Sequence, residues 1–321
     1  MKYLKLSFNS ICLSLLFLLI LASCHSHKHG TSGNDTALGY FASYTLSDAK
    51  YGTETIVSLE DGFRIIKTNA LPNHETGKFP NPGNPNVIAA QNRTYKLPLN
   101  PVYTGKPKRV RETGVALNGI KFEPGTGEVV YCESGENFRI EAIQDLFDLG
   151  LDHNHAHVQP TGAYHYHGSP TELINDNDHG NDMIHIGFAL DGFPIYYSKS
   201  EKYKPSYRII DETREGADCT YQNPKVGKSL TIQDSKADGS FVNDWEYIPG
   251  LGSLDECNGI KINGEYRYFV TDSYPYVGRC LMGEFTELRG GPPPGRRGRT
   301  PGQRGERPDR NGERPPREKH G

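Results

Sequence analysis

Short apolar runs broken by turn dipeptides are the feature that most constrains the fold of this chain. Residues 55–59 and 184–190 are two such runs, and they are too short for most helices. Dipeptides that favour tight hairpin turns separate them, at Asp61-Gly62, Asn118-Gly119, Asp191-Gly192 and Asn263-Gly264. The sequence therefore predicts a mostly β fold with a few short helices, as a β-sandwich or barrel-like single domain. A helix is expected only around residues 139–149.

The first 23 residues predict a secretion signal. Two lysines precede an apolar stretch, residues 11–22, that is too short to span a membrane as a mature helix. The stretch ends in Leu21-Ala22-Ser23-Cys24, which resembles the lipobox of bacterial lipoproteins and implies lipidation of Cys24. Ordinary secretion with an unmodified cysteine is the alternative. Residue 25 is His and not Asp, so the resemblance to sorted lipoproteins favours the outer membrane of the cell envelope.

Three segments follow the signal. Residues 24–39 are rich in His, Ser and Gly and predict a flexible tether, and residues 40–288 are long enough for one β-rich domain. Residues 289–321 contain ten lysines and arginines and four acidic residues, and no large apolar residue, so we expect a disordered tail. We expect the lipid anchor to bind the membrane, and the tail either to be solvated or to contact an anionic envelope polymer. No nucleic-acid partner is expected, because the tail has no aromatic residue for base stacking.

Four cysteines remain after the signal and the lipidation site, at Cys132, Cys219, Cys257 and Cys280. An even number in an oxidising compartment predicts two disulfides, for which three pairings exist. We favour Cys257–Cys280, because both lie in one compact C-terminal stretch. Metal binding by these cysteines is the alternative, although the chain has no Cys-x-x-Cys pair.

Histidines are concentrated in one short region: seven of the twelve lie between His153 and His185. In an extended strand, the side chains of His165 and His167 share one face and lie about 6–7 Å apart along the strand. With a third imidazole they could hold one metal ion, and His157 is the best third ligand, followed by His155 and His185. Imidazole ligands suit zinc and copper. The alternative is that these histidines form hydrogen bonds to the backbone and pack against tyrosines.

A degenerate internal similarity links this region to a later one. Leu151-Asp152 leads through a turn to Gly162-Ala163-Tyr164-His165-Tyr166-His167, and Leu254-Asp255 leads to Gly264-Glu265-Tyr266-Arg267-Tyr268-Phe269. A tandem duplication is the simple interpretation, with chance similarity as the alternative. If the repeat is real, both tyrosine-bearing strands have similar structural roles. Only the first copy has imidazoles, because Arg267 and Phe269 replace them in the second.

Several motifs together resemble the bacterial YHYH domain family. They are Tyr164-His165-Tyr166-His167, the segment Leu190-Asp191-Gly192-Phe193-Pro194-Ile195-Tyr196, the segment Leu254-Asp255-Glu256-Cys257-Asn258-Gly259, and Tyr274-Pro275-Tyr276 before Cys280. The resemblance covers about residues 116–283. The family often repeats Tyr-His-Tyr-His near the end and has a cysteine soon after the first Asp. This chain instead has Tyr266-Arg267-Tyr268-Phe269 and the His-rich residues 153–157.

The sequence favours a metal-binding domain over an enzyme. A three-histidine metal with an open position could support a hydrolase or an oxidoreductase, with Asp191, Asp182 or Tyr166 as acid or base. However, no catalytic triad signature, His-Glu-x-x-His motif or phosphate loop is present. A glycan- or peptide-binding module without metal is a further alternative, since tyrosine-rich loops suit recognition by stacking.

Residues 176–182 are a weaker candidate for a calcium loop. Alternating acidic residues around a glycine resemble such loops. Position twelve, counted from Asp176, is Gly187 instead of the glutamate that an EF-hand requires. A solvated turn is the alternative.

Overall fold

The structure, a computed structural model, describes residues 39–132, 137–215, 220–223, 228–232 and 234–285. The predicted signal peptide, the lipidation site Cys24, almost all of the tether, the C-terminal tail and Cys219 lie outside the described residues. Within these ranges, no helix has both the length and the apolar character that a membrane crossing requires.

The first sheet is an antiparallel meander of β1 (Tyr44–Asp48), β2 (Thr53–Glu60), β3 (Phe63–Thr68) and β4 (Arg93–Pro98). Buried residues alternate with more exposed ones along most of β2, as expected when one sheet face covers a core. Asp61 and Gly62 both have positive φ, 50° and 79°, and they close the β2–β3 hairpin. Two residues with positive φ match the twist of antiparallel strands, so the predicted turn is confirmed.

The second sheet has eight strands. They are β6 (Gly114–Ala116), β7 (Lys121–Phe122), β10 (Ala156–Val158), β11 (Tyr164–Tyr166), β12 (Met183–Ala189), β13 (Pro194–Ser198), β18 (Gly259–Ile262) and β19 (Glu265–Val270). Their order across the sheet is β10-β11-β7-β6-β12-β13-β19-β18. This sheet contains the region with the clustered histidines.

The second sheet consists of two copies of one four-stranded unit. In the first copy, β6 and β7 are antiparallel, β11 is parallel to β7, and β10 is antiparallel to β11. In the second copy, β12, β13, β19 and β18 repeat these relations in the same order. The copies meet where β6 and β12 pair antiparallel. The similarity seen in the sequence is therefore a repeat of structure.

An aspartate–tyrosine hydrogen bond recurs in both copies. Asp152 Oδ1 accepts bonds from backbone N–H groups two and four residues further on, and its Oδ2 accepts a 2.7 Å bond from the Tyr164 hydroxyl. Asp255 accepts bonds from the same two backbone positions, and the Tyr266 hydroxyl donates to its Oδ2 at 2.8 Å. Each aspartate thus fixes the turn before its hairpin and also the tyrosine on the following strand.

The repeat also includes the first hairpin turn of each copy. Ala-Leu-Asn-Gly ends at Gly119 and Ala-Leu-Asp-Gly ends at Gly192, and these glycines have φ of 86° and 92°. An added Cβ would lie 2.1 Å from Thr68 Oγ1 at the first position and 2.3 Å from the Pro98 carbonyl oxygen at the second. Glycine is required at both turns because the first sheet approaches the backbone there.

The two large sheets pack face to face. Val57, Ile66 and Leu97 of the first sheet form one apolar cluster with Val115 and Phe188 of the second. A larger apolar cluster covers the opposite face of the second sheet and includes most of its tyrosines. The mostly β, sandwich-like domain predicted from the sequence is confirmed, and the described strands form no closed barrel.

Smaller elements complete the fold. They are the strand pairs β5 (Tyr103–Arg109) with β20 (Cys280–Gly283), β8 (Gly125–Tyr131) with β9 (Asn137–Glu141), β14 (Tyr207–Ile209) with β17 (Trp245–Tyr247) and β15 (Thr220–Asn223) with β16 (Lys228–Thr231), the helix α1 (Thr171–Asp176), and the 3-10 helices Gly39–Phe41 and Val242–Asp244.

The helix expected around residues 139–149 is wrong. Its first residues belong to β9, in which Phe138 and Ile140 are buried and Arg139 is exposed. The side-chain oxygen of Gln144 then accepts bonds from the backbone N–H groups of Leu146 and Phe147. Local bonds of this kind compete with helical hydrogen bonds.

The predicted disulfide between Cys257 and Cys280 is confirmed. It joins the turn before β18 to β20, and it removes both sulfur atoms from any metal site. Cys132 is also disulfide-bonded.

The two copies of the aspartate–tyrosine bond predict a graded loss of stability. Tyr266→Phe leaves Asp255 Oδ2 without its donor, so we expect a loss of about 1–3 kcal/mol in the free energy of unfolding. Tyr164→Phe should cost less, because Asp152 Oδ2 keeps a 3.0 Å bond from the Gly77 N–H. Urea unfolding with intact disulfides measures both losses.

The control for these variants is Tyr131→Phe, because Tyr131 is 73% exposed. It should change the free energy of unfolding by less than about 0.5 kcal/mol. Equal losses for all three variants would contradict the structural role of the aspartate–tyrosine bonds.

Candidate metal centre

The hairpin of β10 and β11 brings three histidines together. His157 and His165 are direct cross-strand partners, and His167 follows β11 two residues after His165. The backbone N–H of His167 donates a 2.8 Å bond to the His155 carbonyl, which keeps the chain extended past the end of the strand. Alternation along this strand therefore places His165 and His167 on the same face as His157. We call these three residues the histidine triad.

The intervening tyrosines have the opposite orientation and belong to the core. Tyr164 and Tyr166 are almost completely buried. The Tyr164 hydroxyl donates to Asp152, and the Tyr166 hydroxyl accepts a 2.9 Å bond from Asn118 and lies 2.6 Å from His74 Nε2. These buried bonds fix the register of β11 and thereby the face on which the imidazoles lie.

The three imidazoles converge on one point. Their ring centroids lie 4.6 to 4.8 Å apart, and one candidate ligand atom from each residue lies within 4.8 Å of the others. The Nε2 atoms of His157 and His167 are 3.1 Å apart. A tetrahedral zinc site with Zn–N bonds of about 2.05 Å would separate such nitrogens by roughly 3.3 Å. The triad is therefore close to the dimensions of a metal site.

Backbone carbonyls orient two of the rings. His157 Nδ1 lies 2.9 Å from the Leu149 carbonyl oxygen, and His165 Nδ1 lies 3.2 Å from that of Ala163. A carbonyl can only accept, so each Nδ1 carries the proton and each Nε2 keeps its lone pair. The buried His167 Nδ1 has no hydrogen-bond partner.

All three imidazoles are held in the neutral form. Burial lowers the pKa of His157, and burial lowers the pKa of His165 and His167 well below the ordinary value. The neighbouring imidazoles lower the pKa of His165 and His167 further, as would be expected of like charges in close contact. Neutral imidazole is the form that binds metal ions.

A buried carboxylate lies beside the triad. Glu123 binds Arg111 Nε at 2.6 Å, Gln159 Nε2 at 2.9 Å and the Lys121 ammonium. Lys121 is the cross-strand partner of His165 on β7. Burial alone would raise the pKa of Glu123, but the charges and hydrogen bonds of Lys121 and Arg111 outweigh it and lower the pKa. An ionised Glu123 thus balances part of the positive charge near the triad.

Comparison with known proteins identifies the family. The family model described as YHYH protein matches residues 94–283. The chain belongs to the YHYH family. No curated protein and no solved structure gives a significant match. In the YHYH domain of this chain, the motif itself supplies two members of the triad, and β10 supplies the third.

The second copy of the YHYH repeat has no imidazole at the corresponding positions. Ile260 and Arg267 are cross-strand partners there, as His157 and His165 are in the first copy, and Phe269 corresponds to His167. The side chain of Arg267 is an ion-pair partner of Glu265 and stacks on Tyr196. The candidate metal centre is therefore confined to the first copy.

Two predicted ligands do not join the triad. His155 has a φ of 50°, so it leaves the alternation of the strand, and its Nδ1 lies 2.8 Å from the Ser169 carbonyl oxygen. His185 lies on β12, where its Nε2 donates a 2.9 Å bond to the Gly187 carbonyl and its ring stacks on Phe41. The structure thus brings together three of the five histidines that the sequence suggested.

The acidic candidates have partners within the protein. Asp191 is buried in the β12–β13 turn and accepts bonds from the Tyr268 hydroxyl and the Gly283 N–H, and burial raises its pKa to about 6. In the suggested calcium loop, Asp178 forms an ion pair with Lys199 and Asp182 accepts a 2.7 Å bond from the Ser200 N–H.

Sequence reasoning missed His74 and Glu123. His74 is a single histidine in a long loop between β3 and β4, and nothing in its local sequence indicates contact with Tyr166. Glu123 had a signal, because Lys121 and Glu123 flank an apolar residue immediately after a predicted hairpin turn. Charged residues at such buried positions usually have partners.

The aromatic site of His185 predicts a pH dependence of stability. Burial lowers the pKa of His185 to about 3, from 6.5. As pH falls below about 6.5, the unfolded chain takes up this proton and the folded protein does not. The stabilisation is therefore complete above that pH and is lost progressively toward pH 3. Between pH 7 and pH 5, the free energy of unfolding should fall by up to about 2 kcal/mol more in the unsubstituted protein than in His185→Gln.

Tyr196→Phe is the matched control, because it alters the same aromatic cluster without removing a group that titrates in acid. Urea unfolding at the two pH values gives both slopes. Parallel curves for His185→Gln and the unsubstituted protein would contradict the assigned pKa.

Proposed function

We propose that this YHYH domain binds one transition-metal ion through His157, His165 and His167. The observation that supports the proposal most is the convergence of three neutral imidazoles at ligand distance within one hairpin. Neutral imidazoles suit zinc and copper, and they bind without the cost of releasing a proton.

Hydrogen bonds from the far side of two rings to backbone carbonyls support this proposal. Metal-bound histidines commonly donate their second ring N–H to a backbone carbonyl, which fixes the tautomer and turns the other nitrogen to the metal. His157 and His165 have this arrangement with Leu149 and Ala163.

The metal-free arrangement leaves one atom of His167 unsatisfied. If His167 carries its proton on Nε2, it can donate to His157, but the buried Nδ1 lone pair has no donor. If the proton is on Nδ1, that N–H has no acceptor, and two Nε2 lone pairs face each other at 3.1 Å. A cation between the rings removes the repulsion between lone pairs. The Nδ1–H of His167 would still have no acceptor among the described residues, so the lone-pair repulsion alone favours a metal over a purely hydrogen-bonded histidine core.

Three protein ligands favour a metal with an exchangeable position. Structural zinc sites are usually closed by four protein ligands, and catalytic sites use three and leave one position for water or substrate. This count keeps a metal-dependent hydrolase or oxidoreductase as the second candidate function. The bound metal would supply Lewis-acid or redox chemistry, and the chain would supply orientation through the carbonyls of Leu149 and Ala163.

The proposed setting is the bacterial cell envelope, with the protein attached by a lipid on Cys24. The signal pattern at residues 1–24 and the Cys257–Cys280 disulfide both support an oxidising compartment.

Removal of two imidazoles tests the metal proposal. The mature chain, purified from an oxidising compartment without a histidine tag, should contain close to one copper or zinc ion per chain. The double variant His165→Ala/His167→Ala should lose that ion, because one remaining imidazole cannot hold it. Elemental analysis gives the stoichiometry, and thiol titration shows whether the disulfides have formed.

Arg267→Ala is the matched control, because Arg267 occupies the position of His165 in the second copy. It should retain the metal. His153→Ala tests whether an exposed histidine of the same region contributes. Stoichiometric metal in the double variant, or none in the unsubstituted protein after reconstitution, would refute the proposal.

A further inference from the structure

Four arginines line a cleft next to the histidine triad. Arg109, Arg111, Arg139 and Arg279 surround a space of about 450 Å³, together with Glu123 and residues 124–127. We call this space the arginine cleft. It is formed by β5, β8 and β9 and by the segment before β20.

The positive charge in the arginine cleft exceeds the carboxylates that pair with it. Glu123 neutralises Arg111 and is shared with Lys121, and Glu141 forms a two-bond ion pair with Arg279. Neither Arg109 nor Arg139 has an ion pair with a carboxylate among the described residues. This excess is local, because the chain as a whole carries a net charge of −3.

Two of the guanidinium groups have contacts within the protein, and Arg279 is held in position by its two bonds to Glu141. The side chain of Arg279 is only 9% exposed, and its buried Nε has no hydrogen-bond partner. An Nη1 hydrogen of Arg139 is donated to the Thr126 carbonyl. The fixed position of Arg279 lowers the entropy that its side chain loses when a ligand binds.

The adjacent backbone leaves room for a ligand. Gly125 and Gly127 belong to an irregular part of the β8–β9 pair. A Cβ added at either glycine would meet no atom within 4 Å. The cleft wall is therefore open at this point.

We propose that the arginine cleft binds a small anion that carries a phosphate or carboxylate group. The planar guanidinium can donate two parallel, charge-assisted hydrogen bonds to two oxygens of a carboxylate or phosphate group. A cleft with walls of low polarisability also focuses the field of converging charges. The ligand would supply the negative charge that Arg109 and Arg139 lack.

Anion titration of the metal-free full mature chain tests this proposal. Inorganic phosphate and citrate are titrated separately by calorimetry at constant ionic strength, after the chelator has been dialysed away. We expect saturable binding of at least one of them, and the tighter of the two identifies the oxyanion class. Because no metal is present, failure of this experiment leaves the metal proposal untouched.

Arg109→Gln/Arg139→Gln should weaken this binding by about tenfold or more for each charge-assisted bond lost. The control Lys96→Gln/Arg208→Gln removes two exposed charges elsewhere and should change the affinity by less than about twofold. If the double variant does not fold, the single variant Arg109→Gln is titrated instead, because this side chain has no ion pair to lose. No saturable binding, or equal binding by variant and control, would overturn the proposal.

Discussion

Both the core and the candidate metal centre depend on the alternation of side chains along residues 164–167. Tyr164 and Tyr166 fill the core on one side of β11, and the imidazoles of His165 and His167 lie on the other side. A shift of one residue in the strand register would exchange these faces and bury imidazoles where tyrosine hydroxyls now form hydrogen bonds. The tyrosines therefore set the geometry of the triad without contacting a metal. His157 joins it because antiparallel pairing places it directly opposite His165.

The sequence predicted this alternation, the β class, the Cys257–Cys280 disulfide and the similarity between the two Leu-Asp segments, because each depends on local spacing. The sequence could not show that His157, and not His155, joins His165 and His167. That outcome depends on a positive φ at His155, which removes its side chain from the strand face. Nor could the sequence exclude His185 from the triad, because nearness along the chain gave no information about position in the sheet. The extent of the repeat was also missed, because segments of unequal length separate Asn118 from Asp152 and Asp191 from Asp255.

Comparison of the two copies of the repeat distinguishes the residues that maintain the fold from those that could bind a ligand. Both copies keep the aspartate that closes the turn and bonds the tyrosine hydroxyl, at Asp152 and Asp255. Only the first copy keeps imidazoles on the opposite face, so the scaffold does not need them. The second copy has Ile260, Arg267 and Phe269 at these positions, so packing of the repeat does not require three imidazoles there. This contrast favours a ligand-binding role for the histidine triad.

The proposed anion and the proposed metal are linked through charge. Lys121 and Arg279 lie close enough to the triad to oppose a positive charge on it, whether from a proton or from a metal ion. Glu123 lines the arginine cleft and also acts on His157 and His167, so it offsets this effect from a position between the two sites. An anion in the cleft would offset it further and would make metal binding more favourable. By thermodynamic reciprocity, a bound metal would raise the affinity for the anion by the same factor. The two sites would therefore bind their ligands cooperatively.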